Sequence, residues 1–164
     1  MSRTVSKVVF IGEGGVGKTS LVNKLLGSGG LSDSPTIGID IKTIVTENVQ
    51  IVVWDLGGQE RFKLFADDFI IGAKLIVLVF DLNKSTSFFR LYEWAKRLRQ
   101  KIRNPYTKII LVGNKSDLER TVDREAVNKF IRESQLNIVE YIETSAKTGE
   151  NVDSLLKLLK KHSL

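Results

Sequence analysis

Apolar residues in this chain alternate between two rhythms. Short runs of β-branched and aromatic residues at positions 5–11, 39–45, 49–54, 75–80, 108–112 and 138–142 read as strands. Between them, apolar residues recur at helical spacing. Leu21, Val22, Leu25 and Leu26 share one face within 19–26. Phe88, Leu91, Ala95, Leu98 and Ile102 make a single stripe, Ala126, Val127, Phe130 and Ile131 a second, and Val152, Leu155, Leu156 and Leu159 a closing one. The runs at 75–80 and 108–112 have no polar face, the pattern of strands covered on both sides. The run at 138–142 alternates. Thr46-Glu47-Asn48 between the second and third runs reads as a hairpin turn, and Gly27-Ser28-Gly29-Gly30 breaks the first helix.

This order predicts an α/β fold: a six-stranded, mostly parallel sheet with one antiparallel strand and helices on both faces. Its 164 residues suit one domain spanning 1–164, with no internal repeat or linker. In such a fold, ligands sit beyond the carboxyl ends of the strands, and the polar motifs of this chain fall at those ends.

Gly12-Glu13-Gly14-Gly15-Val16-Gly17-Lys18-Thr19 fits the phosphate-loop pattern between a strand and a helix. Glycines let the backbone wrap closely, so the N–H groups from Gly14 through Ser20 can face phosphate oxygens. The positive end of the helix dipole points the same way. Lys18 offers a full charge to the β- and γ-phosphates and Thr19 a hydroxyl to Mg²⁺. This loop does not separate ATP from GTP.

Asp55-Leu56-Gly57-Gly58-Gln59 follows the third strand. Asp55 can reach Mg²⁺ through a water, because that ion keeps several waters. The N–H of Gly58 can approach the γ-phosphate and Gln59 can orient the attacking water. Thr36, in Pro35-Thr36-Ile37-Gly38, offers a hydroxyl to Mg²⁺ and an N–H to the γ-phosphate.

Asn114-Lys115-Ser116-Asp117 leaves the fifth strand and Thr144-Ser145-Ala146-Lys147 the sixth. Guanine presents N1–H and N2–H₂ as adjacent donors, and the carboxylate of Asp117, an acceptor only, can take both. Adenine would set a lone pair against it. The N–H of Ala146 can donate to guanine O6. Asn114 can reach the purine edge and brace the phosphate loop, and the stem of Lys115 can lie along the base. A buried polar site of this kind discriminates by roughly 10⁴–10⁵.

The charge adds little to this picture. The chain carries +6 with a pI near 9.5, which permits anionic partners, but it has no aromatic-rich basic tract of the nucleic-acid type. There are no cysteines, so disulfides, cysteine metal sites, palmitoylation and prenylation are not expected of this sequence, and Ser2 makes myristoylation unexpected as well. No apolar run is long enough to span a bilayer. The expectation is a soluble cytoplasmic chain, peripheral on membranes only through a removed tail or a partner. His162 reads as a solvated residue at the end of the last helix, and Lys157, Lys160 and Lys161 as that helix's solvated face.

Together these motifs make the chain resemble the small GTPases of the Ras superfamily over essentially its whole length. Thr36-Ile37-Gly38-Ile39-Asp40, Trp54-Asp55, Gly58-Gln59-Glu60-Arg61-Phe62 and Glu143 through Asn151 are similar to Rab proteins, while Asp55 through Gln59 resembles the Arf family. The resemblance implies a P-loop NTPase G domain with five flanking helices, binding GTP or GDP with Mg²⁺ and cycling between two shapes. It also implies an exchange factor, a GTPase-activating protein and effectors as partners of a monomeric switch in membrane traffic, polarity or regulatory signalling. By analogy Ile41, Trp54 and Phe69, with Ile37, Phe62 and Phe65, form the effector surface. Rab-like proteins usually carry an aromatic where Ile41 stands. The family's switch aromatic across the guanine is also missing, since Leu31 is the only large side chain between Gly27 and Thr36, and this predicts faster nucleotide loss than in relatives that carry the aromatic. No arginine stands in cis for the γ-phosphate, although Arg61 is near in sequence, so hydrolysis by the isolated chain is expected to be slow. Three other readings of the same residues are a GTP-holding module without hydrolysis, a small ATPase or nucleotide kinase, and a translation-type GTPase.

Overall fold

The computed structural model describes residues 3–27, 39–57 and 68–164. Within them the order is β1 (Thr4–Ile11), α1 (Lys18–Leu25), β2 (Ile39–Val45), β3 (Val49–Leu56), β4 (Leu75–Asp81), α2 (Ser85–Phe89), α3 (Leu91–Lys101), β5 (Lys108–Asn114), α4 (Arg124–Glu133), β6 (Ile138–Glu143) and α5 (Val152–His162). The strands form one six-stranded sheet in the order β2-β3-β1-β4-β5-β6. β2 pairs antiparallel with β3, and every other neighbouring pair is parallel. The hairpin between β2 and β3 is closed by Thr46, whose N–H and hydroxyl both donate to the Val49 carbonyl at 2.9 Å.

Side chains of successive strand residues point to opposite faces, and the core divides accordingly. On one face Val9, Ile11, Ile76, Leu78, Phe80, Ile109 and Leu111 pack with Leu91, Trp94 and Leu98 of α3 and with Val127 and Phe130 of α4. On the other, Val8, Phe10, Val77, Val79, Ile110 and Val112 pack with Leu21, Val22 and Leu25 of α1 and with Leu155 and Leu159 of α5. This double cover is why β4 is apolar at six successive positions and buried throughout. β6, at the sheet's edge, is half-buried at every residue instead of alternating, because one flank has no neighbouring strand.

Two expectations need correction. The stripe from Phe88 to Ile102 belongs to two helices, α2 and α3, not one. Arg90 joins them with ψ −13°, flatter than the helical value, while its carbonyl accepts from both Glu93 N and Trp94 N at 3.1 Å. Apolar spacing survives the join, so the sequence pattern does not show it. Ile102 is the extended residue that ends α3, its side chain still against the core.

His162 is not solvated: it is 8% exposed, with Nε2 3.2 Å from Glu140 Oε1 on β6. It lies three residues after Leu159 and seven after Leu155, on the helix face that packs against the sheet. Lys157, Lys160 and Lys161 are exposed as expected, and Lys161 Nζ stands 3.6 Å from Glu140. Among the described residues no helix is long and apolar enough to cross a membrane.

Candidate functional site

The parallel strands β1, β3, β4, β5 and β6 end on one edge of the sheet, and the loops that follow them converge there. After β1 the chain turns through Gly12 (φ +150°), Gly15 (+79°) and Gly17 (+92°) into α1. A Cβ on Gly12 would lie 2.2 Å from the carbonyl oxygen of Val79, so the close passage over β4 needs a bare backbone. Gly17, the left-handed N-cap of α1, contributes no side-chain hydrogen bond, and the first turn holds no acidic residue. The positive end of the helix is thus left for an anion.

Lys18 folds back over this loop, with Nζ donating to the carbonyls of Gly12 (3.0 Å) and Glu13 (2.9 Å). Burial lowers its pKa to about 8, against the opposing pull of Asp55 and Glu13. Thr19 donates its hydroxyl to Asp55 Oδ2 at 2.5 Å. Asp55 is buried, which raises its pKa against the opposing Thr19 bond and Lys18 charge. Among the described residues its Oδ1 has no hydrogen-bond partner. An orphaned buried carboxylate oxygen beside a threonine hydroxyl, at the mouth of an anion cradle, fits Mg²⁺ and its waters.

The loops after β5 and β6 are tied to the phosphate loop and to each other. Asn114 donates Nδ2 to the Val16 carbonyl at 2.9 Å and accepts from the Thr144 hydroxyl at 3.0 Å. A Cβ on Gly17 would come within 2.5 Å of the same Nδ2. Lys115, at φ +66°, donates to the Gly15 carbonyl at 2.7 Å. Ser145 donates its hydroxyl to Asp117 Oδ1 at 2.7 Å, and the N–H of Ser116 reaches the Thr144 carbonyl at 3.0 Å. Ala146 is buried next to them, Lys147 is exposed, and Val16 and Ser20 are buried. Gly14, Gly15, Val16, Gly17, Lys18, Thr19, Ser20, Asp55, Asn114, Lys115, Asp117, Ser145, Ala146 and Lys147 thus lie on one edge of the sheet. Thr36, Gly58, Gln59 and Arg61, with Leu31, Ile37, Phe62 and Phe65, lie outside the described residues. Ile41 is 52% exposed opposite Trp54 in the β2–β3 register, and the Trp54 and Phe69 rings are 5.6 Å apart.

Several participants escape the sequence reading. Asp81 ends β4 directly opposite Asn114, and its Oδ2 is 3.1 Å from Lys115 Nζ. A carboxylate closing a run of six apolar residues was the available signal. Glu13 accepts from Trp94 Nε1 at 3.0 Å, with Arg90 Nε 3.8 Å from its other oxygen, so α3 grips the phosphate loop. Glu143 takes Arg120 Nη1 at 3.0 Å and Nη2 at 2.6 Å, and also the Tyr141 hydroxyl. Nothing local in the chain points to the Glu13–Trp94 or Arg120–Glu143 pairing.

A glycine-rich strand-to-helix loop, an acidic strand end facing its threonine, and two base-side loops braced on that loop define a P-loop nucleotide-binding protein of the G-domain type. The Ras family model matches residues 7–164. The chain is 35% identical over 165 residues to Ras-related protein Rab-13 of Rattus norvegicus, covering 96% of this chain and 79% of that one. It is 37% identical over 158 residues to Ras-related protein Rab-30 of Homo sapiens, covering 91% and 75%. The chain belongs to the Ras family and is a Rab-like small GTPase, a GTP phosphohydrolase.

Proposed function

We propose that residues 1–164 act as one G domain, a membrane-traffic switch that hydrolyses GTP slowly on its own. Support comes from one observation above the rest: Asn114 links the phosphate loop at Val16 to the last strand's loop at Thr144. Phosphate-binding and base-binding parts are thereby held as one unit, as a nucleotide gripped at both ends requires.

In this reading the amides from Gly14 to Ser20 and the charge of Lys18 hold the phosphates. Thr19, Thr36 and Asp55 would hold Mg²⁺, which supplies charge to neutralise the phosphates. Gln59 orients the attacking water. Thr36 and Gly58 hold the γ-phosphate, and its departure releases both loops. Asp117, oriented by the Ser145 hydroxyl, accepts the guanine N1–H and N2–H₂. The N–H of Ala146 donates to O6, Lys115 flanks the base, and Lys147 closes the rim. A partner's arginine would raise turnover by roughly 10³–10⁵. Exchange factors, activating proteins and effectors are the expected partners, the last at Ile41, Trp54 and Phe69.

Two measurements test this. Asp117→Asn should move preference from GTP towards XTP, and unchanged GTP preference would remove the base-site assignment. In single turnover the wild type should hydrolyse GTP and Gln59→Leu should be at least tenfold slower. Negligible hydrolysis by the wild type, no faster than Gln59→Leu, would favour a GTP-holding scaffold.

A further inference from the structure

The net charge of this protein is gathered in one place. Six of its 25 basic residues and none of its 19 acidic ones lie between Lys96 and Lys108, so this segment alone equals the formal net charge of +6. It comprises the second half of α3, the turn that follows and the first residue of β5. Lys96 and Gln100 lie one turn apart on the outer side of α3, Lys101 ends the helix and Arg103 follows in the turn, and all four are exposed. Among the described residues, Lys96, Lys101, Arg103 and Lys108 enter no ion pair. Arg99 differs: its Nη1 donates to the Ser134 carbonyl at 2.7 Å and joins α3 to the end of α4.

At the tip of this segment stands Tyr106, 80% exposed. The turn that carries it is built: Asn104 Oδ1 accepts from Tyr106 N at 2.9 Å and the Asn104 carbonyl from Thr107 N at 3.1 Å. Pro105 fixes one backbone angle between them. Asn137 Nδ2 holds the Tyr106 carbonyl from the far side at 3.1 Å. A large aromatic is therefore held outward on a turn tied down at three points, in a segment where Lys96, Lys101 and Arg103 enter no ion pair among the described residues.

We infer that the α3–β5 corner, with Lys96, Lys101, Arg103 and Tyr106, is a docking surface for an anionic lipid bilayer. The surface is a helix side and a turn. Lipid headgroups diffuse laterally and can match an irregular array of cations, which a rigid partner cannot. A ring with a polar tip beside lysine and arginine suits the bilayer interface, where such side chains anchor. The single exposed ring does not form the stacking platform that nucleic acid would use. The corner lies at the amino end of β5, and the nucleotide loops lie at its carboxyl end. Seven residues at about 3.3 Å each separate the two edges by roughly 20 Å, so a docked protein keeps its nucleotide edge open.

Each basic group close to an anionic leaflet strengthens binding by about fivefold. In co-sedimentation, the protein should bind phosphatidylcholine–phosphatidylserine vesicles and ignore phosphatidylcholine alone. Raising salt from about 0.1 M to about 1 M, which shrinks the screening length from about 10 Å to about 3 Å, should release it. Lys96→Ala/Lys101→Ala/Arg103→Ala should bind at least tenfold more weakly, and Tyr106→Ala severalfold more weakly. Lys96→Arg/Lys101→Arg should bind like wild type. Equal binding to both vesicle types, no binding to either, or an unimpaired triple alanine variant would overturn the inference. So would retention on an acidic peptide or duplex DNA at a salt concentration that frees the vesicles. None of these outcomes depends on the nucleotide preference of the site, so failure here and failure of the GTPase reading are separable.

Discussion

Lys18 is the residue in which burial and ligand chemistry oppose each other most directly. Its surroundings hold its pKa near 8, below the ordinary 10.5. Anionic phosphates favour the charged form, so nucleotide binding near pH 8 should take up a fraction of a proton. Affinity should therefore fall as pH rises through that value. Titration calorimetry in buffers of different ionisation enthalpy reads this directly, and an apparent enthalpy independent of buffer would refute it. Asp81 acts one step further out, orienting Lys115 through a 3.1 Å ion pair. Asp81→Asn should speed GDP dissociation by about tenfold, the equivalent of a charge-assisted hydrogen bond worth roughly 1.5 kcal/mol. A stopped-flow rate equal to wild type would show that Lys115 needs no such partner. Gly12→Ala meets backbone rather than a movable side chain, the Val79 carbonyl at 2.2 Å. Its cost should exceed about 4 kcal/mol and leave little folded protein in a urea titration.

Among elements, the join between α3 and the phosphate loop stands out, because it connects residues 81 positions apart through Trp94 and Glu13. Trp94 also packs in the core, so the informative substitution keeps an aromatic ring and removes the N–H. Trp94→Phe should lower stability by roughly 1–3 kcal/mol, since it loses a bond to a carboxylate. At about 2–4 °C per kcal/mol for a chain of this size, the thermal midpoint should drop by several degrees. A midpoint within error of wild type would mean that the bond contributes nothing net.

At the scale of the whole molecule, the loops after β5 and β6 are latched by Arg120 on Glu143. Burial by itself would raise the pKa of Glu143, but the hydrogen bonds from Arg120 and Tyr141 and the nearby cationic charge outweigh it, and the net shift is downward. A carboxylate depressed in the folded state stabilises it above its ordinary pKa, and that contribution fades as pH falls through the lower folded value. Thermal midpoints should therefore fall more steeply for wild type than for Arg120→Ala as pH drops from about 6 to about 3. Parallel curves would remove the latch.

The amino-acid order by itself determined the strands, the hairpin, the two-sided cover of the sheet and the motifs at its carboxyl edge. Those features depend on near neighbours: period-two and helical repeats, turn glycines and caps. It did not disclose the break at Arg90, because Phe88 and Leu91 keep helical spacing across it. The burial of His162 was written in its spacing from Leu155 and Leu159, yet only the packing of α5 against the sheet turned that spacing into a contact with Glu140. Tertiary structure alone decided which charge meets which. Asp81 reaches Lys115 because strand register sets it opposite Asn114, and Glu13 reaches Trp94 because a helix crosses above a loop. Such pairings follow from register and crossover, which bring distant residues together and leave no local trace in the chain.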